Sequence, residues 1–360
     1  MAGVTWREEL KDIQPYSPGK RASDFAAELG LDEMVKLSSN ETPFGPTRLA
    51  AAAMRAAVER VNRYPDSSCR ALRRGIAELH EVSEETITVG SGSNEIIRLL
   101  AQIVLTEGDE AVMAKPSFVV YPIVTRLFGA KTVEVPTTAD WCLDLAAMAK
   151  AVTKKTKIVF LANPNNPTGT IFSKTEFDAF IKKVPKRVLI VLDEAYFEFV
   201  DAPRYPNGLD YFDESGNIAV LRTFSKIHGL AGLRVGYGVV PAVLIGALNR
   251  VREPFNVNSM AQIAAFASLK SEAEIEDRRA QTLESRVRIC GALDELGLTH
   301  AETHANFVFV KVDDGPEAFK QLLTQGVIVR AFGDAPFVRI TFGGPAENDT
   351  LIAGLQAVFG

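Results

Sequence analysis

The sequence predicts an α/β protein: a large lobe built on a mostly parallel central sheet, followed by a smaller α+β lobe. Three observations lead there. At 360 residues the chain exceeds the size at which one hydrophobic core usually stops growing. From about 70 to 240, helical patterns alternate with short β-rich runs, which is the order of strand–helix–strand units. After about 255 the texture changes to long charged helices and a few separated strands.

Residues 1–44 are polar and proline-containing and read as an arm that belongs with the smaller lobe. Residues 47–61 are rich in Ala and begin with Thr47, a plausible helix N-cap. The strands expected next are 87–90, 110–114, 131–135, 157–162, 188–193, 218–223 and 234–240. Several are almost wholly apolar, as strands covered on both faces must be. These elements set a large lobe at 45–255. The smaller lobe, 256–360, holds helices over 259–296, the strand FVFVKV, a helix over 316–325, and the strands VIVR and FVRITFG.

Composition narrows the function. Forty basic against 45 acidic side chains leave a charge of −5, so no nucleic-acid surface is expected. Cys69, Cys142 and Cys290 have no paired spacing, which argues against a disulfide framework or a zinc site and for a reducing compartment. No metal site is expected. The N-terminus lacks the apolar core of a signal peptide, and no apolar run is long enough to span a bilayer. A soluble, cytoplasmic protein without a membrane partner is the expectation.

Four segments at predicted strand ends could carry chemistry, because open α/β sheets bind ligands there. Gly90-Ser91-Gly92-Ser93 opens a helix, where small residues and the helix dipole suit an anion. It matches neither a P-loop nor a dinucleotide fingerprint, and Gly/Ser turns before helices are common. Asn163-Pro164-Asn165-Asn166-Pro167-Thr168-Gly169 is a stiff loop able to fix an amide donor, or simply a turn. Asp193-Glu194-Ala195-Tyr196 ends a very apolar strand, where an acid serves as a cap, a metal ligand or the partner of a buried cation. Lys226 follows Thr223-Phe224-Ser225 in a Gly-rich stretch; sequestered there, its amine would lose proton affinity and be free to form an imine. Most lone lysines are merely surface residues.

Together and in this order, these motifs resemble the fold type I aminotransferases that use pyridoxal phosphate. The spacings fit: Asn166 to Asp193, Asp193 to Lys226, and Lys226 to Arg234 within Gly-Leu-Arg-X-Gly. Pro15-Tyr16-X-Pro-Gly, Ser39-Asn40-Glu41-X-Pro, Arg63-Tyr64-Pro65-Asp66, Ala305-Asn306-Phe307 and Val338-Arg339-Ile340-Thr341 extend the likeness over nearly the whole chain, toward the histidinol-phosphate group of that family.

The resemblance implies roles. Lys226 would carry pyridoxal 5′-phosphate as a Schiff base and shuttle a proton, and Asp193 would face the ring nitrogen. Tyr196 and Asn166 would bond the ring oxygen, and Phe118 would stack on the ring where relatives often have Tyr or Trp. Gly92, Ser93, Thr223, Ser225 and Arg234 would hold the phosphate, with Tyr64 reaching it from a neighbouring subunit of a homodimer. Catalysis would rest on Lys226, Asp193 and Tyr196. Arg339 would hold a substrate carboxylate and Arg330 a substrate phosphate, with Tyr16, Asn40 and Asn256 nearby. The implied reaction moves an amino group between L-histidinol phosphate and 2-oxoglutarate or glutamate. Rival readings are an aromatic amino-acid aminotransferase, a decarboxylase acting on threonine phosphate, or a non-enzymatic binding protein of this fold.

Overall fold

The computed structural model describes residues 4–11, 13, 15, 21–30 and 33–360. Its strands are β1 (Val35–Lys36), β2 (Ile87–Gly90), β3 (Glu110–Lys115), β4 (Lys131–Pro136), β5 (Thr156–Ala162), β6 (Leu189–Asp193), β7 (Ile218–Thr223) and β8 (Gly236–Val239). They are followed by β9 (Phe307–Lys311), β10 (Val327–Ile328), β11 (Arg330–Ala331) and β12 (Phe337–Thr341). Strands β2 to β8 form one sheet in the order β2-β8-β7-β6-β5-β3-β4. Only β8 runs against its neighbours; the remaining pairings are parallel, which is the α/β fold expected.

Side-chain alternation along the strands explains why both faces are apolar. In β6, Val191 enters one core with Ile97, Leu100, Tyr121 and Phe160. Its neighbours Ile190 and Leu192 enter the opposite core with Phe172, Phe177 and Phe180. Each of these groups is buried on its own side of the sheet, so a slip by one residue would exchange the two faces. The sheet is therefore a rigid platform, and its strand ends have little freedom.

Thr47 caps the helix Arg48–Ala57 by accepting from Ala50 N, as the sequence suggests. The helix Ser259–Ser268 packs Ala261, Ala264 and Ala265 into a core with Ala50, Leu72, Ile76, Val89 and Tyr237. The sequence reading groups that helix with residues 256–360, yet its small side chains dock on the body around the large sheet. The next helix, Glu272–Glu295, spans both regions. Ile275 packs against a cluster containing Tyr196 and Ile227, while Ile289 and Leu293 enter the C-terminal core with Val308, Leu322 and Ile340.

The C-terminal region holds a sheet of order β11-β12-β9 and the parallel pair β1–β10. Backbone bonds from Leu37 N to Ile328 O and from Thr341 N to Leu37 O stitch the arm to both. That places residues 38–41 at the junction between the C-terminal sheet and the strand ends of the large one. Among the described residues, no helix is long and apolar enough to cross a membrane.

Candidate active site

A cavity of about 730 Å³ lies at the C-terminal ends of β2, β3, β5, β6 and β7, with the arm and β11–β12 forming its far wall. Lys226, Asp193, Tyr196, Asn166, Phe118, Thr223, Ser225, Ser93, Arg234, Asn40, Arg330 and Arg339 all line it. Gly92 lies directly behind Ser93 as the N-cap of the helix Ser93–Val104. Two candidates stand elsewhere. Tyr64 is 83% exposed and stacks on Phe255, with ring centroids 4.6 Å apart. Asn256 donates to Glu95 Oε2 at 2.7 Å and so braces the helix that starts at Ser93. Tyr16 lies outside the described residues.

Lys226 Nζ donates to the backbone oxygen of Asn40 at 3.0 Å. Burial, and next the positive charge of Arg339, push its pKa down to about 7. The ammonium form loses water faster than Glu41 and Asp193 can compensate, so near neutral pH the amine is a competent nucleophile.

Asp193 ends β6 with only 4% of its surface exposed. Burial pushes its carboxyl up to about 6, against the pull of two donors. These are Tyr121 Oη, 2.7 Å from Oδ2, and Ala195 N, 3.2 Å from Oδ1. The sequence reading missed Tyr121. It lies fully buried, stacks on Phe160 at 4.7 Å and meets the Phe118 ring edge-on at 5.5 Å. One side chain thus supports both Asp193 and Phe118. The available signal was its place one helical turn beyond Phe118 in PSFVVYP.

Strand alternation separates Asp193 from Glu194. Asp193 faces the cavity, whereas Glu194 turns below and binds Arg222 through Nε and Nη2 at 3.0 and 2.8 Å. The pair is buried and closed by Gly208 N and the Phe197 ring, 3.5 Å from the guanidinium carbon. Breaking one partner of such a pair leaves an uncompensated charge, so the segment 193–197 is held firmly from beneath.

At one corner the helix Ser93–Val104 points its N-terminus into the cavity beside Arg234. Gly92 has φ 78°, and a Cβ there would stand 2.5 Å from Arg234 Nη2. At that φ any side chain would be strained, and it would also push the Arg234 guanidinium aside. Arg234, itself left-handed at φ 58°, donates to Ser225 Oγ at 3.4 Å, and Ser225 N donates to Thr223 Oγ1 at 3.1 Å. Backbone N–H groups, hydroxyls and a guanidinium converge there, a donor set suited to a phosphate dianion.

On the opposite wall Arg330 and Arg339 are direct cross-strand partners. Like charges in that register repel, so the arrangement favours an anion between or beside them. Arg339 donates through Nη1 to Asn166 Oδ1 at 2.6 Å and through Nη2 to Ser38 O at 2.8 Å. Its guanidinium carbon lies 5.3 Å from the Phe307 ring centre. Asn166 Nδ2 in turn donates to Tyr196 Oη at 3.3 Å.

The sequence model of the family described as aminotransferase class I and II matches residues 32–355. This chain belongs to that family. As a member it is 45% identical to the histidinol-phosphate aminotransferase of Moorella thermoacetica, over 98% of this chain and 92% of that one. It is 40% identical to the histidinol-phosphate aminotransferase of Caldicellulosiruptor saccharolyticus, over 98% and 99% of the two chains. The structure of histidinol-phosphate aminotransferase from Sinorhizobium meliloti in complex with pyridoxal-5′-phosphate is similar with a TM-score of 0.90 at 25% identity, covering 99% of this aminotransferase and 98% of that chain. A single mutant of aspartate aminotransferase from Thermus thermophilus shares the fold, with a TM-score of 0.87 at 23% identity over 99% and 100% of the two chains.

Proposed function

We propose that this aminotransferase works with pyridoxal 5′-phosphate on Lys226 and moves an amino group between L-histidinol phosphate and 2-oxoglutarate. The observation that carries the substrate choice is the cross-strand register of Arg330 and Arg339 on one cavity wall. Histidinol phosphate brings a phosphate and no carboxylate, whereas glutamate brings two carboxylates. A site that alternates between them needs more than one cation, and planar guanidinium suits both anions.

The residues present fit the cofactor. The crowded corner at Gly92 and Arg234 suits its phosphate, and buried Asp193, across the cavity floor, suits its ring nitrogen. When bound, pyridoxal phosphate supplies an aldehyde for amine capture and a ring that withdraws electrons from the bonds at the reacting carbon. Asp193, as a carboxylate, would hold a proton on the ring nitrogen. Phe118 would cover the ring face, Tyr196 and Asn166 would face the ring oxygen, and Lys226 Nζ would take and return the proton at the reacting carbon. Arg339 would hold the carboxylate of glutamate and Arg330 the phosphate ester.

A homodimer and a cytoplasmic setting belong to the same reading. Tyr64 is exposed, as are Leu49, Val58 and Val61 of the segment before it, which favours a subunit contact that delivers Tyr64 to a neighbouring site. All three cysteines are unpaired, in keeping with a reducing compartment. We also place the change of lobe within the helix Glu272–Glu295 and not at 255, since that helix packs on both cores.

The test is a half-reaction screen on purified protein, following the visible band of bound cofactor. Histidinol phosphate and glutamate should each convert it. Turnover of aromatic amino acids with indifference to histidinol phosphate would overturn the substrate choice, and carbon dioxide release from threonine phosphate would overturn the reaction type.

A further inference from the structure

Asn40 is bonded far more heavily than a turn residue requires. It is 1% exposed and left-handed at φ 54°, a conformation that asparagine tolerates better than most residues. Asn40 N donates to Thr341 Oγ1 at 3.0 Å, and that hydroxyl donates back to Asn40 Oδ1 at 3.2 Å. The exchange orients the amide: with Oδ1 engaged as acceptor, Nδ2 must face Tyr196, donating to its Oη at 2.8 Å. Asn40 O accepts from Lys226 Nζ at 3.0 Å and from Asn306 Nδ2 at 3.2 Å. Thr341 and Asn306 belong to the C-terminal sheet region, whereas Tyr196 and Lys226 follow strands of the large sheet.

We propose that Asn40 is a positioning residue for amino transfer: its amide clamps the Tyr196 hydroxyl, and its main-chain oxygen receives the Lys226 amine whenever that amine is free. The inference rests on Lys226 being the cofactor lysine. A neutral amine has two hydrogens and one lone pair. Committing one hydrogen to a fixed carbonyl restricts where the lone pair points, and an uncharged acceptor does so without locking the nitrogen as ammonium. The charged groups around Nζ are Arg339, Glu41, Arg234 and Asp193, and the Tyr196 ring lies 5.4 Å away. Tyr196 Oη accepts from both Asn40 Nδ2 and Asn166 Nδ2, so its own hydrogen is directed away from both amides. A phenol that accepts such bonds is a better donor in turn. Because its partners come from the C-terminal region and from the loops after β6 and β7, Asn40 aligns these two groups only when the C-terminal region and the arm are seated together.

The experiment compares Asn40→Gly, Asn40→Ala and the parent as holoenzymes. Asn40→Gly keeps the left-handed turn and the carbonyl but deletes the amide. It should raise the pH midpoint of the cofactor's visible band, because a weaker Tyr196 donor stabilises a facing oxygen anion less well. It should also slow the half-reaction at saturating glutamate by about three- to tenfold, the worth of one hydrogen bond, with little change in half-saturating concentration. Asn40→Ala disfavours the turn as well and should additionally shift the pH dependence with which the apoprotein's Lys226 reacts with trinitrobenzenesulfonate. An unmoved midpoint in Asn40→Gly overturns the proposal, as does a loss confined to half-saturating concentration, which would make Asn40 a substrate contact. A drop in melting temperature with unchanged midpoint makes it merely structural and equally sinks the idea. A parent protein that forms no visible band with pyridoxal phosphate defeats the cofactor reading instead.

Discussion

The two walls of the cavity are built in different ways. The floor comes from the ends of β2, β3, β5, β6 and β7, and each group on it lies within a few residues of a buried strand. The far wall joins residues from opposite ends of the chain: Asn40 meets Thr341 and Asn306, and Arg339 meets Ser38. A floor anchored to a two-sided core cannot shift without exposing apolar surface. The far wall rests partly on the two-residue strands β1, β10 and β11 and on buried polar bonds between segments distant in the chain. Groups on the floor are thus set by single strands, whereas those on the far wall are set only once the arm and the C-terminal sheet have come together.

The largest effect should come from the floor. Lys226→Ala should reduce steady turnover by roughly 10⁴-fold or more, since nucleophile and proton carrier go together. Steady-state assays with excess cofactor check this, and intact turnover would dismiss Lys226 from the chemistry.

A far-wall substitution should discriminate between substrates. Arg330→Ala should weaken histidinol phosphate by about 2–5 kcal/mol in kcat/KM and leave glutamate nearly unchanged. Arg339→Ala should harm glutamate at least as much. Equal losses for both substrates in Arg330→Ala would mean that this arginine only supports the wall.

The smallest effect tests the brace beneath the floor. Tyr121→Phe deletes a single hydroxyl and should weaken cofactor binding roughly fivefold. Its pH dependence gives the sign. Burial already raises the Asp193 carboxyl to about 6, and Tyr121 opposes that rise. Without the hydroxyl the carboxyl becomes protonated at higher pH, so cofactor capture by the apoprotein, lost as pH falls, should be lost earlier on the way down. Equilibrium binding from pH 5 to 8 reads the shift; an unchanged acid limb would show that Tyr121 does not tune Asp193.

Local features of this chain are legible from its residues alone. The seven strands of the large sheet are readable because each is a short β-rich run, several of them almost wholly apolar, and the motifs around Asn166, Asp193 and Lys226 because each follows an apolar run directly. Gly92 was legible too, as a small residue opening an amphipathic helix. The rest depends on contacts between distant segments. Asn40 reads as a turn in isolation and becomes a junction only when β1, β12 and the loops after β6 and β7 converge on it. Tyr121 reads as one more apolar helix position until Asp193 arrives from another strand. The alanines of the helix Ser259–Ser268 pack against Ala50 and Ile76, a complementarity that composition does not encode. Local propensity needs only neighbours along the chain, whereas a hydrogen bond across some 300 residues needs the whole fold to set two groups about 3 Å apart.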